Sequence, residues 1–136
     1  VMLSWQDVAD AGTSARDGYN VVIHEFVHKI DMRDGAPDGC PPLPAGFMGA
    51  GSAKAARDAW QATLEHHFLA FRDQLSMAER FGAADPWLDP YAATSPDEFF
   101  AVASEAYFVN RARFVADFDA LRPMFDAFFR PATLAG

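Results

Sequence analysis

The chain has 136 residues, of which 51% are hydrophobic, and its formal net charge is −8. This much apolar material supports a packed core and excludes an intrinsically disordered chain, and the length suits a single domain over residues 1–136. The acidic surplus argues against a nucleic-acid surface, and no apolar run is long enough to cross a bilayer, so we expect neither nucleic acid nor a membrane as a partner.

Two elements are predicted at the N-terminal end of the chain. Residues 1–5, VMLSW, are typical of the inside of a strand, and we expect that sequence preceding this strand is missing. Residues 19–32 are predicted to form an amphipathic helix. Its apolar positions recur at steps of three and four, and they are Val22, Phe26, Val27 and Ile30.

A long irregular connection is predicted over residues 33–51, which are rich in glycine and proline. Loops of this length in compact domains are usually functional or disordered. Cys40 lies in this stretch, and no helix start or neighbouring histidine is present that would activate its thiol. As the only cysteine of the chain it forms no internal disulfide, which predicts a reducing compartment such as the cytoplasm.

The longest helical pattern covers residues 52–81, and Gly82 ends it. A single apolar stripe follows this helix, and it consists of Trp60, Leu64, Phe68, Phe71 and Leu75. A further helical stretch is predicted over residues 113–129, with a break near Pro123 because proline interrupts a helix. The predicted fold class is therefore mainly α, with little β contributed by this chain.

Between these two patterns, residues 95–108 are predicted to form another helix. Its start is well marked, since Ser95 can cap it and Pro96 suits the first helical position. Glu98 stands at the capping-box position, from which its side chain could reach back to the helix start.

A metal-binding motif lies inside the first predicted helix, where His24, Glu25 and His28 form the pattern His-Glu-x-x-His. Side chains four residues apart share a helix face, so both imidazoles can reach one zinc ion. Glu25 is placed to take a proton from metal-activated water and pass it to a leaving amine. The alternative is a pair of ordinary helix histidines beside a surface glutamate. Because three such residues at fixed places are rare by chance, the motif favours a hydrolytic zinc site.

Zinc in a catalytic site needs a third protein ligand. No histidine follows soon after His28, and the adjacent His66 and His67 point different ways on their helix, so we interpret both as structural or surface residues. The candidates are Glu98 and Glu105, which lie two helical turns apart, so that one could bind metal while the other orients a ligand. A capping role for Glu98 and a solvated helix face for Glu105 are the alternatives, and spacing alone does not decide between the two.

Three further residues are candidates for supporting roles. Tyr91 precedes Glu98 by seven residues, and its hydroxyl could polarise the scissile carbonyl, although from the residues alone ordinary packing explains it better. Asn20 and Asp31 fall on the ligand face of the helix, four residues before the first motif histidine and three after the second. Each could accept a hydrogen bond from an imidazole, or simply cap a helix end.

Three segments carry a resemblance to a known family. Residues 17–31, DGYNVVIHEFVHKID, closely resemble the motif of the Mlc titration factor A family, whose members are also called glucose-regulated metallopeptidases. Residues 96–105, PDEFFAVASE, and the leading LSW of residues 3–5 resemble the same family. The likeness spans about residues 3–108 and is weak over residues 33–90. The catalytic arrangement is also similar to the protease domain of anthrax lethal factor.

The resemblance implies a zincin-like catalytic core and a zinc-dependent peptidase with aminopeptidase-like activity on short substrates. It also implies that the glutamate before the Phe-Phe pair, Glu98, is the third zinc ligand, that Tyr91 assists, and that Glu105 supports a ligand. In enterobacterial members it implies binding of the transcriptional repressor Mlc. The competing hypothesis is a regulatory protein-binding module whose zinc site is not catalytic.

Overall fold

The computed structural model of the chain describes residues 15–34 and 37–129, with side chains for residues 21–33 and 37–129. This part of the chain consists of helices and connections, without a strand, which confirms the mainly α prediction. The predicted strand at residues 1–5 lies outside the described residues. The α-helices are α1 (Ala15–Asp31), α2 (Ala53–Phe81), α3 (Pro96–Val109), α4 (Arg111–Asp117) and α5 (Leu121–Phe129). Short 3-10 turns cover Met32–Asp34, Phe47–Gly49 and Pro90–Ala93.

α2 ends at the glycine predicted to end it, and its start is capped by Ser52. The hydroxyl of Ser52 accepts a hydrogen bond from the backbone N–H of Ala55 at 3.0 Å, which satisfies one of the free donors at the helix start. Gly82 ends the helix with φ of 70°, a left-handed conformation that glycine adopts without steric cost. Over residues 37–51, the connection before α2 is irregular apart from the turn at Phe47–Gly49.

The start of α3 lies where it was predicted, with Pro96 as its first residue, but the capping box is not formed. The Ser95 hydroxyl donates to the Asp97 carboxylate at 2.6 Å instead of capping the helix. Glu98 points toward α1, where a histidine contacts its carboxylate, and a tyrosine from the turn Pro90–Ala93 contacts the same group. The capping interpretation of Glu98 is therefore wrong, because its side chain has stronger partners elsewhere.

Aromatic side chains build the core around α3. Trp60 of α2 is 1% exposed, stacks on Phe125 at a ring-centroid distance of 5.7 Å and meets the edge of Phe100 at 5.6 Å. The predicted α2 stripe is confirmed, with four of its members buried and Leu75 partly buried. Because α3 is buried on most of its circumference, its position is fixed by packing rather than by an amphipathic stripe.

The predicted apolar face of α1 is wrong in part. Val22 and Phe26 are 45% and 63% exposed, whereas the buried positions of this helix are Ile23, Val27 and Asp31. The buried positions are offset because α1 turns its histidines and Asp31, rather than its most apolar side chains, toward the rest of the protein. Among the described helices, none combines the length and hydropathy that a bilayer crossing requires.

The C-terminal helical stretch breaks earlier than predicted. α4 ends at Asp117 and α5 begins at Leu121, so the interruption covers residues 118–120. Pro123 lies in the first turn of α5, where its missing N–H has no intrahelical acceptor to lose.

Candidate metal centre

Packing between α1 and α3 brings the predicted site residues together. α1 supplies His24 and His28, and α3 supplies Glu98 and Glu105, two turns apart on one face. These two helices contact each other more extensively than any other pair of described elements. Tyr91 lies on the 3-10 turn Pro90–Ala93. The start of this turn is fixed by a hydrogen bond of 3.0 Å from the backbone N–H of Tyr91 to the carboxylate of Asp89.

Three ligand-type atoms converge at the centre of this arrangement. Oε1 of Glu98 lies 2.8 Å from Nε2 of His28 and 3.1 Å from Nε2 of His24, and the two Nε2 atoms are 3.1 Å apart. Glu98 is separated from these histidines by 74 and 70 residues of sequence. Tetrahedral zinc ligands with bonds of 2.0–2.1 Å are about 3.3 Å from one another, so the observed spacing is close to what zinc would require.

Glu105 fixes the orientation of one imidazole. Its Oε2 atom lies 2.5 Å from Nδ1 of His24, and both side chains are mostly shielded from solvent, at 20% and 17% exposure. A carboxylate accepts and does not donate, so the proton of a neutral His24 resides on Nδ1. Its Nε2 atom therefore presents a lone pair toward His28 and Glu98. Of the two glutamates that spacing left open, Glu98 lies among the converging ligand atoms and Glu105 lies behind His24.

Electrostatics of the centre favour positive charge. Burial lowers the pKa of His24, but the hydrogen bond to Glu105 and the charges of Glu105 and Glu98 outweigh burial, so that the pKa is raised. Burial raises the pKa of Glu98, but hydrogen bonds from His28 and Tyr91 and the charges of both histidines outweigh it, so that the pKa is lowered. The raised pKa of His24 means that its positive form is stabilised, and the lowered pKa of Glu98 means that its carboxylate stays ionised. Both shifts indicate a carboxylate-rich pocket that attracts a cation.

The donor set fits a divalent metal. Among the described residues, one group of three potential metal ligands has its ligand atoms all within 4.8 Å of one another. It consists of His24, His28 and Glu98. The two imidazole nitrogens and the carboxylate oxygen lie about 3 Å from one another. Without a cation, their lone pairs would repel one another unless protons were shared between these atoms. A metal ion held by all three atoms would satisfy every lone pair at once.

Tyr91 and Glu25 lie beside this group. The Tyr91 hydroxyl donates to the second oxygen of Glu98 at 3.0 Å, and the side chain is 50% exposed. That hydrogen bond and the negative charge of Glu98 are the main causes that raise the pKa of Tyr91, with a smaller contribution from Glu25. The phenol therefore stays a donor at neutral pH. Among the described residues, no hydrogen bond or ion pair occupies the partly buried carboxylate of Glu25.

The other predicted supporting residues are placed differently. Asp31 is completely buried, but its carboxylate accepts the backbone N–H groups of Gly39 at 2.9 Å and Asp38 at 3.4 Å rather than an imidazole proton. Asn20 belongs to α1, and its side chain lies outside the described part of the structure. Gly39 was not predicted as a partner of Asp31, because one more glycine in a loop rich in glycine and proline carries no distinguishing signal.

The histidines interpreted as structural lie on α2, away from the metal centre. His66 is exposed, and His67 is partly buried with its ring edge-on to Phe118 at 5.7 Å. Burial and the neighbouring His66 lower the pKa of His67, so its neutral form is favoured. Neither residue joins the converging ligand atoms.

Comparison with known proteins gives the family of the chain. Residues 1–130 match the family model described as glucose-regulated metallo-peptidase M90. Over 136 residues the chain is 35% identical to the Mlc titration factor A of Serratia proteamaculans. This match covers 99% of the chain and 47% of the Serratia protein. Proteins of the same name from Yersinia pestis and Yersinia pseudotuberculosis are 36% identical over 138 residues, with 45% of their length covered. The chain thus spans about half the length of these relatives, and it belongs to the glucose-regulated metallo-peptidase M90 family.

Proposed function

We propose that this member of the glucose-regulated metallo-peptidase family is a zinc-dependent peptidase. The observation that carries the proposal is the convergence of His24, His28 and Glu98 beside a carboxylate, Glu25, that has no described partner. A purely structural metal site does not need such a carboxylate, whereas hydrolysis needs a base close to the attacking water. The family assignment supports the same reaction class.

Zinc is the metal that fits the donor set best. Two imidazoles and one carboxylate are the protein ligands of many hydrolytic zinc sites, which keep a further position open. When bound, zinc acts as a Lewis acid that polarises a carbonyl and lowers the pKa of water. Within the protein, Glu105 holds the Nδ1 proton of His24 and thereby keeps its Nε2 atom free for the metal.

Two side chains move or hold protons in the proposed reaction. Glu25 accepts the proton of the attacking water on its carboxylate and returns it to the leaving amine, so that one residue serves as base and then as acid. Tyr91 donates its hydroxyl proton toward the oxygen that becomes negative in the transition state. Its half-exposed ring and single hydrogen bond to Glu98 leave it free to exchange that bond for one to the substrate.

We infer that short peptides are the substrates and that cleavage is aminopeptidase-like. The family resemblance of residues 17–31 and 96–105 supports this inference, which concerns the whole protein because the chain covers about half of its relatives' length. The single cysteine, Cys40, fits a reducing compartment such as the cytoplasm.

A peptide-library digest with and without chelator tests the proposal, using the wild type and Glu25→Gln. The wild type should bind about one zinc per chain and cleave, and chelation should stop cleavage. Glu25→Gln should keep zinc, because Glu25 is not among the ligands, but lose turnover by about a hundredfold or more. Unchanged turnover in that variant would refute the proposed base. A native fold without any zinc would refute the metal centre.

A second candidate function comes from the relatives. Because they carry the name Mlc titration factor A, a protein that binds a transcriptional repressor with a non-catalytic zinc site is the alternative. Binding of purified Mlc to the wild type and to Glu25→Gln separates the two functions. Equal repressor binding by both proteins, with peptide cleavage by neither, would favour the regulatory module over the enzyme.

A further inference from the structure

The buried carboxylate of Asp31 ties the end of the metal-binding helix to a loop. α1 ends at Asp31, three residues after His28, and the carboxylate accepts the backbone N–H of Gly39 at 2.9 Å and that of Asp38 at 3.4 Å. Asp31 has no exposed surface. We call Asp31 together with the backbone of Asp38 and Gly39 the loop bracket.

The loop bracket presses directly on the start of α3. A Cβ atom added to Gly39 would lie 2.8 Å from the carbonyl oxygen of Pro96 and 2.8 Å from a methyl carbon of Leu64, closer than real contacts allow. Gly39 also has φ of 86°, which other residues rarely adopt. Pro96 is two residues before Glu98, so the contact lies within one helical turn of the metal ligand.

A third element holds the loop bracket from the remaining side. The indole N–H of Trp60, on α2, donates to the carbonyl oxygen of Gly39 at 2.8 Å, and Trp60 is 1% exposed. Cys40, the next residue, is completely buried. The backbone around Gly39 is therefore fixed by α1, α2 and α3 simultaneously and has little freedom to shift.

A buried carboxylate is costly, and simply ending a helix does not require one. Burial raises the pKa of Asp31 to about 6, against the lowering effect of the two backbone N–H groups. A glycine or asparagine would end α1 without that cost. The position of the carboxylate, between the helix that bears two ligands and the helix that bears the third, offers a reason for its presence.

We propose that Asp31 is a positioning residue for the metal centre, which sets the distance between Glu98 and the two histidines by fixing Gly39 against the start of α3. This inference rests on the metal centre of the proposed function but not on peptidase activity. Weakening the loop bracket should let α3 move relative to α1, and the three converging atoms should then bind metal less tightly.

Asp31→Asn is the principal test, because asparagine keeps the shape and removes the charge that the two N–H groups bind. Zinc affinity by competition with a chromophoric chelator should fall by about tenfold, the lower end of the range for residues behind metal ligands. The visible spectrum of the Co²⁺ form should change in band position or intensity, since it reports ligand geometry. Gly39→Ala should act in the same direction if it folds.

Ser52→Ala is the matched control. It removes the cap of α2 and should cost about 1 kcal/mol of stability without contact to the loop bracket. Its zinc affinity and cobalt spectrum should match the wild type. If Ser52→Ala weakens zinc as much as Asp31→Asn does, or if Asp31→Asn changes neither readout, the positioning role is refuted.

A second arm asks whether Asp31 acts through Glu98. In Glu98→Ala only the histidine pair remains, and such a pair binds Cu²⁺, which has the highest affinity of the divalent series. Asp31→Asn should leave Cu²⁺ binding of this background unchanged within about twofold. A tenfold loss there would show that Asp31 acts on the histidines and would overturn the inference. A wild type that binds zinc but cleaves no peptide refutes the peptidase alone, and one that binds no zinc refutes both proposals.

Discussion

Replacing Glu105 tests the proposed metal centre, in which this residue would support a ligand without being one. The Glu105 carboxylate lies 2.5 Å from Nδ1 of His24, and the two side chains are only 20% and 17% exposed. Hydrogen bonds to charged groups contribute roughly 1.5–3 kcal/mol, and charge-assisted bonds are about twice as strong as neutral ones. We therefore take about 2 kcal/mol for the whole interaction and about 1 kcal/mol for its charge.

These values predict a graded series of zinc affinities. Glu105→Gln keeps an acceptor for the His24 proton and should weaken zinc binding by about fivefold, whereas Glu105→Ala should weaken it by about thirtyfold. Glu98→Ala removes a ligand atom and should cost more than either. Competition with a chromophoric chelator at fixed pH measures all three, and Glu65→Gln, an exposed glutamate on α2, serves as the control.

Two results would refute this reasoning. Equal affinity in Glu105→Ala and the wild type would mean that the contact with His24 does not contribute to metal binding. A larger loss in Glu105→Ala than in Glu98→Ala would mean that Glu105, and not Glu98, is the third ligand.

Three further predictions concern other parts of the structure. Tyr91→Phe should slow peptide cleavage by about a hundredfold, as loss of an oxyanion donor does, while zinc affinity changes by about threefold or less; equal turnover would exclude the proposed role. Because the pKa of Asp31 is raised from 3.8 to about 6, its contribution to stability is present below about pH 4 and is lost as pH rises through about 6. Urea unfolding of the wild type and Asp31→Asn should diverge over this window by up to about 3 kcal/mol, and parallel profiles would contradict the raised pKa. Phe125 is fully buried between Trp60 and Phe114, so Phe125→Ala should lower the free energy of unfolding by about 3–5 kcal/mol. Phe128 is only partly buried, and Phe128→Ala serves as the comparison. A smaller loss in Phe125→Ala than in Phe128→Ala would contradict the described core.

The parts of the fold that depend on interactions within a few residues of sequence could be predicted from the sequence. α2 begins after Ser52 and ends at Gly82 because a capping hydroxyl and a left-handed glycine act over a few residues, and sequence shows both. The exposed face of α1 was not predictable in the same way. Apolar periodicity pointed to Val22 and Phe26, but the helix turns its two motif histidines toward α3. That orientation depends on partners 70 or more positions away in the sequence.

The candidate site was predictable from the sequence where one element determines its geometry, and not where contacts between elements do. The motif of His24, Glu25 and His28 is visible in the sequence because one helix determines its geometry. Spacing could not choose between Glu98 and Glu105, since both lie on one face of α3 and only the register of α3 against α1 separates them. The similarity to the anthrax lethal factor protease domain stays a prediction. The contact between Gly39 and Pro96 had no sequence signal, because it joins three elements across a loop.

Because His24 and Glu98 are 74 positions apart in the sequence, a metal ion in the proposed site would have a mechanical role in addition to its chemical one. An ion held by both residues closes more than half of the 136-residue chain into a loop, as a removable cross-link would. Since the unfolded chain cannot present this ligand set, free zinc at a hundred times its Kd should stabilise the fold by about 2.7 kcal/mol. With zinc in the proposed site, chelation should therefore speed proteolysis of the chain as well as stop the proposed cleavage.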